Sequence, residues 1–189
     1  MDKESLLEHL AKGERSFCDQ DFVNQDFRKL DLAECRFMAC SFTGCRFGKA
    51  KMNQIAFIES HLTDCDLSDG NMLRTVFYKC LVDTSSFIDT QLRDTLWLNT
   101  NVRNSNFTWG IMIANYMVQC DFVGSVFKYT CMEKTCLRNA DMKNCDFSLA
   151  SLRDAYILNA TLEGCTSNLL LDGAKFVKST LNGREVKDV

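Results

Sequence analysis

Large apolar residues fall on every fifth position of this chain from Phe17 to Leu162, through 30 consecutive centres. Around Cys35-Arg36-Phe37-Met38-Ala39-Cys40-Ser41-Phe42 the pattern is plain: a small residue, one spacer and an aromatic recur every five residues. A period of five is neither the 3.6 of a helix nor the 2 of a simple strand. From Phe37 on, the side chain two positions before a centre is nearly always small. From Cys35 to Cys165 that slot holds Cys, Ala, Ser, Thr or Gly, with Ile55 and Asn115 as the only departures. Residues two apart in extended chain point to the same side. Each unit therefore sends one large and one small side chain inward and turns a corner with the other three facing out. Large beside small fills a narrow interior to crystal-like density.

Sorting the centres by fours shows how many units close a turn. Phe27, Phe47, Leu67, Phe87, Phe107, Phe127 and Phe147 form a nearly all-Phe column, whereas Leu32, Met52, Met72, Leu92, Met112, Met132 and Leu152 contain no aromatic residue. Residues 20 apart thus share an environment, which gives four units per coil and a square cross-section. Stacked at the strand spacing of about 4.8 Å, seven to eight coils make a rod roughly 35 Å long.

The ends depart from the pattern. Ser5 and Glu8 have capping-box spacing, Leu6, Leu7 and Leu10 share one helical face, and Gly13 is a stop signal, which together predict a helix over about 6–12. After Leu162 the register slips by one residue, and centres resume at Leu171, Phe176, Leu181 and Val186. The expected organisation is a capping helix in 1–16, the repeat in 17–165 and an offset terminal coil in 166–189. Both ends need covering, because an open coil is an edge that invites strand addition.

Ala140-Asp141-Met142, Cys145-Asp146-Phe147, Cys120-Asp121-Phe122 and Cys65-Asp66-Leu67 resemble the A-(D/N)-L-x-x signature of pentapeptide-repeat proteins. The resemblance covers about residues 17–165. It implies an all-β fold, the right-handed quadrilateral parallel β-helix, and a protein that is not an enzyme. The Cys-x-Phe coils at 35–47 also look like the quinolone-resistance (Qnr-type) branch. That likeness implies, as an alternative function, protection or inhibition of DNA gyrase or topoisomerase IV by DNA mimicry. Family members also include secretion-associated adaptors and translocated effectors, a further alternative.

Composition narrows the partners. A net charge of −3 gives little attraction for nucleic-acid phosphates, and no direct nucleic-acid binding is expected. No apolar run approaches the roughly 20 residues of a membrane span. Met1-Asp2-Lys3-Glu4-Ser5 leads into no signal-type apolar core, so a cytoplasmic location is expected, with export by a non-classical route still open. Eleven cysteines are odd in number and follow the repeat, which suits a reducing compartment.

Candidate chemistry shrinks on inspection. Cys35, Cys40 and Cys45 suggest a metal cluster, yet they occupy the inward slot together with Cys65, Cys80, Cys120, Cys145 and Cys165, where a thiol packs as a small hydrophobe. Cys131 and Cys136 precede centres and are the thiols expected to be reactive. Asp21, Asp26, Asp31, Asp66, Asp121, Asp141 and Asp146 read as solvated, corner-stabilising residues. No phosphate-binding, nucleophile-elbow or zinc motif is present, and no cofactor is expected.

The outward positions carry what remains. Beside the centres Phe57, Phe77, Trp97 and Met117 stand Ala56, Ile58, Val76, Tyr78, Leu96, Leu98, Tyr116 and Val118, an apolar stripe on one of the four faces. Trp109, Ile111 and Ile113 extend it around a corner. A patch of this kind marks a partner site, and the expected function is a rigid rod presenting it to another protein or to a second copy. The competing reading lays Leu6, Leu7 and Leu10 of the N-terminal helix over the stripe.

Overall fold

A computed structural model describes residues 1–166 and 168–185. The chain winds as a right-handed square β-helix of about eight coils with one short helix, α1 (Lys3–Ala11), at its N-terminal end. The first face is a nine-stranded parallel sheet of three-residue strands: Ser16–Cys18, Arg36–Met38, Ala56–Ile58, Val76–Tyr78, Leu96–Leu98, Tyr116–Val118, Cys136–Arg138, Tyr156–Leu158 and Lys175–Val177. At about 4.8 Å per strand this sheet runs about 38 Å along the rod. The second face starts at Asp21–Val23, the third carries the Phe column, and the fourth carries the Leu/Met column.

Register is 20 residues as far as Asp146↔Thr166, as in Phe37↔Phe57 and Phe57↔Phe77 on the first face, or Asp66↔Ser86 on the third. Backbone groups are satisfied between coils. Ala56 N–H donates to Cys35 O at 2.9 Å, and Phe47 N–H donates to Asp66 O at 2.6 Å. The ladder spacing drops to 19 from Ser151↔Leu170 onward, as where Ile157 pairs with Phe176, the one-residue deletion placed in space. The final coil folds back, with Arg184–Glu185 running antiparallel to Thr180–Leu181. Val186, expected as the last centre, lies outside the described residues.

All centres from Phe17 to Leu162 are buried, and the aromatic ones stack coil on coil. Phe87, Phe107 and Phe127 lie with ring centroids 4.7 and 4.9 Å apart and planes within 9°. Trp97 stacks on Phe77 at 3.9 Å and donates its indole N–H to Thr95 Oγ1 at 2.9 Å. The small slot does more than leave room. Its hydroxyls and thiols donate to the carbonyl of the large centre one coil earlier, as in Ser125 to Val102 O at 2.8 Å, Thr130 to Phe107 O at 2.9 Å and Cys120 to Trp97 O at 3.1 Å. Asn115 is the exception. Its Oδ1 accepts from Thr95 N, while its Nδ2 is buried without a partner.

Corners follow one backbone rule that hydrophobic periodicity does not reveal. The residue two after each centre, from Asp19 to Gly164, has φ between 50 and 74°. Half of these positions are Asn, Asp or Gly, the residues that tolerate the left-handed region. Trp109, Tyr129 and Leu149 adopt it against their preference. Aspartates one before a centre close the turn: Asp26, Asp66, Asp121 and Asp146 accept the backbone N–H two residues on.

The N-terminal helix begins earlier than its sequence signals suggest. Asp2 is the N-cap, its Oδ1 accepting Ser5 N at 2.9 Å, so Ser5 and Glu8 form no capping box. Leu6 is buried in the core and Leu10 packs on it, but Leu7 points outward at 39% exposure.

Two stability outcomes follow. Phe107→Ala removes the middle of a continuous ring stack and lowers unfolding free energy by about 3–5 kcal/mol. Leu149→Asn relieves a left-handed leucine on the surface and raises it by up to about 1 kcal/mol. Guanidinium unfolding followed by circular dichroism measures both.

Candidate protein-binding face

Strand alternation decides which side chains the first face offers. In each three-residue strand the middle residue is buried and its two neighbours face solvent. On the second face the neighbouring column runs His61, Leu81, Asn101, Asp121, mostly polar. On the first face the two outward columns are apolar for several coils: Ala56, Val76, Leu96, Tyr116 and Cys136 in one, and Ile58, Tyr78, Leu98 and Val118 in the other. Parallel pairing holds these side chains one above another, so the stripe is a built surface rather than a scatter of residues.

Exposure varies along it. Tyr116 is 56% and Leu96 36% exposed, while Ile58, Val76, Tyr78, Leu98 and Val118 are half-buried against one another. The Lys79 ammonium sits 5.2 Å from the Tyr78 ring and 3.1 Å from Glu59 Oε1, forming a charged rim. Tyr156 continues the apolar column two strands beyond Tyr116.

The helix does not cover this stripe. Its contacts are with the first coil: Met1 N–H to Asp21 O, Lys3 N–H to Gln25 Oε1, and the His9 ring edge-on to Phe17. Leu6 therefore closes the open end of the core, and the leucines are not spent on coils four to six.

Trp109, Ile111 and Ile113 lie at the corner and on the fourth face of the coil that begins with Leu96–Leu98 and leads into Tyr116. Trp109 is 53% exposed and stacks on Tyr129 at 4.1 Å with planes 7° apart. Tyr129 and the 49%-exposed Leu149 complete a corner ridge that the sequence reading passed over. The signal was available: all three stand two after a centre, in the column of Lys29, Lys49, Asp69 and Asp89.

No described group of three His, Cys, Asp or Glu is arranged to hold a metal ion. The eight inward cysteines are buried free thiols. Burial pushes the Cys35 and Cys80 thiols up to about 11 and Cys120 to about 12. Cys65 is also raised, by the Cys45 thiol stacked on it and then by burial. Cys131 and Cys136 are half-buried, whereas Cys18, one after the first centre, is exposed. The most accessible thiol is therefore one that the expectation for Cys131 and Cys136 left out. Among the described residues no helix is long and apolar enough to cross a membrane.

The fold comparison with QnrB1 agrees with this geometry. The family model for pentapeptide repeats (8 copies) matches residues 115–144 and 137–166. A second, for the SV2A/B/C luminal domain, matches residues 39–107. Among solved structures, a trypsin-treated variant of QnrB1, a plasmid-mediated fluoroquinolone resistance protein, is similar over 89% of this chain and 92% of its own, with a TM-score of 0.74 and 13% identity. Full-length QnrB1 is similar over 89% of this chain and 94% of its own, with a TM-score of 0.61 and 14% identity. HetL, a pentapeptide repeat protein involved in heterocyst differentiation regulation from the cyanobacterium Nostoc sp. strain PCC 7120, matches 97% of this chain and 98% of its own at a TM-score of 0.49 and 15% identity. A search of curated proteins by sequence found no match. The unbroken five-residue beat, the square coil and the pentapeptide-repeat model over 115–166 agree on one fold, the pentapeptide-repeat β-helix.

Thiol accessibility supplies a direct check of the inward slot. In native protein a disulfide reagent titrates at most Cys18, Cys131 and Cys136, with Cys18 fastest, and the other eight react only in denaturant. Mass mapping of the labelled sites would show it.

Proposed function

We propose that the protein is a non-catalytic binding module, a rigid rod that offers the apolar stripe of its first face to a protein. The observation that carries this is the continuity of Val76, Tyr78, Leu96, Leu98, Tyr116 and Val118 across adjacent, in-register strands of a face left uncovered by the helix. Exposed apolar patches of this kind are uncommon on monomers without a partner. Aromatic residues supply large contact area at small entropic cost, and Tyr78 and Tyr116 are placed to act as anchors. Eleven free thiols support a reducing compartment as its place of action.

The surface charge pattern weighs against reading the rod as a DNA mimic. A mimic needs carboxylates in unbroken columns, but Glu59 is followed one coil on by Lys79, with which it pairs at 3.1 Å. Asp121 is held by Arg103, and Asp26 is shared by Arg28 and Arg46. Quinolone has no expected effect on gyrase supercoiling that depends on this protein.

Photo-crosslinking tests the proposed face. Leu98→p-benzoylphenylalanine is expected to give a discrete protein adduct in the native host, and the same group at Thr63 on the second face is not. Adding Tyr78→Asp should remove the adduct while the circular dichroism spectrum stays unchanged. Equal patterns from positions 98 and 63, or no adduct from either, would reject the face as a binding surface.

A further inference from the structure

The first face matches itself when one rod is turned end for end. We infer that its occupant is a second copy of this chain, packed antiparallel about a two-fold axis that crosses the face midway between strands Val76–Tyr78 and Leu96–Leu98. The inference rests on the binding-module reading and names the partner.

The argument is one of register. A two-fold axis lying in the interface and perpendicular to the rod keeps each outward column facing the same column of its partner, reversed in direction. Centring it between the two middle strands sets Tyr78 against Leu98 and Val76 against Leu96. One coil further out, Ile58 meets Val118 and the small Ala56 meets the protruding Tyr116. Small opposite large, in the most exposed position of the stripe, is the shape complementarity a flat sheet otherwise lacks.

Charge selects the same register. The corner between the fourth and first faces carries Glu34, Gln54, Arg74, Asp94, Ala114, Lys134 and Asp154 in successive coils. In the proposed pairing Arg74 faces Asp94 twice, related by the axis, and Glu34 faces Lys134 twice. None of these four residues makes an ion pair with a described residue of its own chain, whereas Glu59–Lys79, Asp31–Lys51 and Asp121–Arg103 pair within the rod. Sliding one rod by a single coil brings Arg74 onto Arg74 in one direction and Asp94 onto Asp94 in the other. Parallel rods fare no better, since Arg74 would then face Lys79 across the same coil. The opposite corner, Ala39, Glu59, Lys79, Asn99, Gln119 and Asn139, places no like charges together in the favoured register. One like-signed pair, Glu14 with Asp154, falls at the extreme ends.

Size sets the strength. Eight overlapping strands span about 34 Å at the strand spacing, and three extended residues give a face about 10 Å wide before the corners are counted. The contact is then roughly 350–500 Å² on each partner, below the ~800 Å² of tight complexes. A reversible dimer with a dissociation constant in the range of roughly 10–100 µM is expected.

Charge exchange between two variants tests this without relying on loss alone. Sedimentation of wild type from about 1 to 300 µM should show a monomer–dimer equilibrium within that range. Arg74→Asp alone sets Asp against Asp94, and Asp94→Arg alone sets Arg against Arg74, so each should weaken self-association by about tenfold or more. Mixed in equal amounts, the two variants regain both opposite-charge pairs and should form a heterodimer with wild-type affinity. Both positions are exposed corners whose left-handed backbone already accepts Asp and Arg, so unfolding midpoints should stay close to wild type. Variants that dimerise like wild type, or a mixture that stays monomeric, would overturn the register. A wild type that remains monomeric throughout would overturn the second copy as occupant. In that event an adduct from position 98 to a different protein would leave the binding module standing, and the absence of any adduct would remove both.

Discussion

Everything in this rod depends on each coil handing its backbone hydrogen bonds to the next. A three-residue strand satisfies nothing within itself, so its N–H and C=O groups must meet those of a strand one full circuit away. That requirement holds the circuit at 20 residues through the repeat, and the last coil keeps its ladders at 19 because the missing residue falls once, between Thr166 and Leu170. The left-handed residue two after every centre lets the chain turn in so few residues. It turns four corners per coil without losing a ladder bond, and the inward Ser, Thr and Cys side chains add a further donor to the carbonyls of the coil before.

Such a constraint puts what the rod presents on its outward side chains. The interior is filled by stacked rings and small slots, and from Phe17 to Leu162 no loop interrupts the coil. Chemistry-bearing residues are absorbed by the fold: cysteines become inward donors, and aspartates before the centres become turn acceptors. What remains open to choice is the three outward residues of each unit, and parallel pairing stacks those choices into columns. A column is thus the natural unit of function in this architecture, whether it is the stripe of the first face or the Trp109–Tyr129–Leu149 ridge.

The ridge and the stripe differ in what they ask of the backbone. The stripe sits on strand positions, where apolar and aromatic residues are comfortable. Trp109, Tyr129 and Leu149 hold left-handed corners at some cost in stability, and stacking of the two rings offsets part of it. At the rod's N-terminal end the helix meets a different demand, covering the first coil so that its edge recruits no foreign strand.

The sequence by itself determined the period, the four-fold coil, the inward residues and the apolar stripe, because all four follow from which positions are large, small or polar. It also located the deletion after Leu162, since one missing residue shifts every later centre. Only the tertiary structure decided where the helix lies. Leu6, Leu7 and Leu10 read alike in a sequence, and packing over Phe17 separates the buried leucine from the exposed one. The three-dimensional arrangement also revealed the hydrogen-bonding role of the small slot and the left-handed corners, because a carbonyl 23 residues away and a backbone angle leave no mark on hydrophobic periodicity. The pairing of corner charges within and between coils likewise depends on which columns stand side by side, which is a property of the closed square and not of the chain.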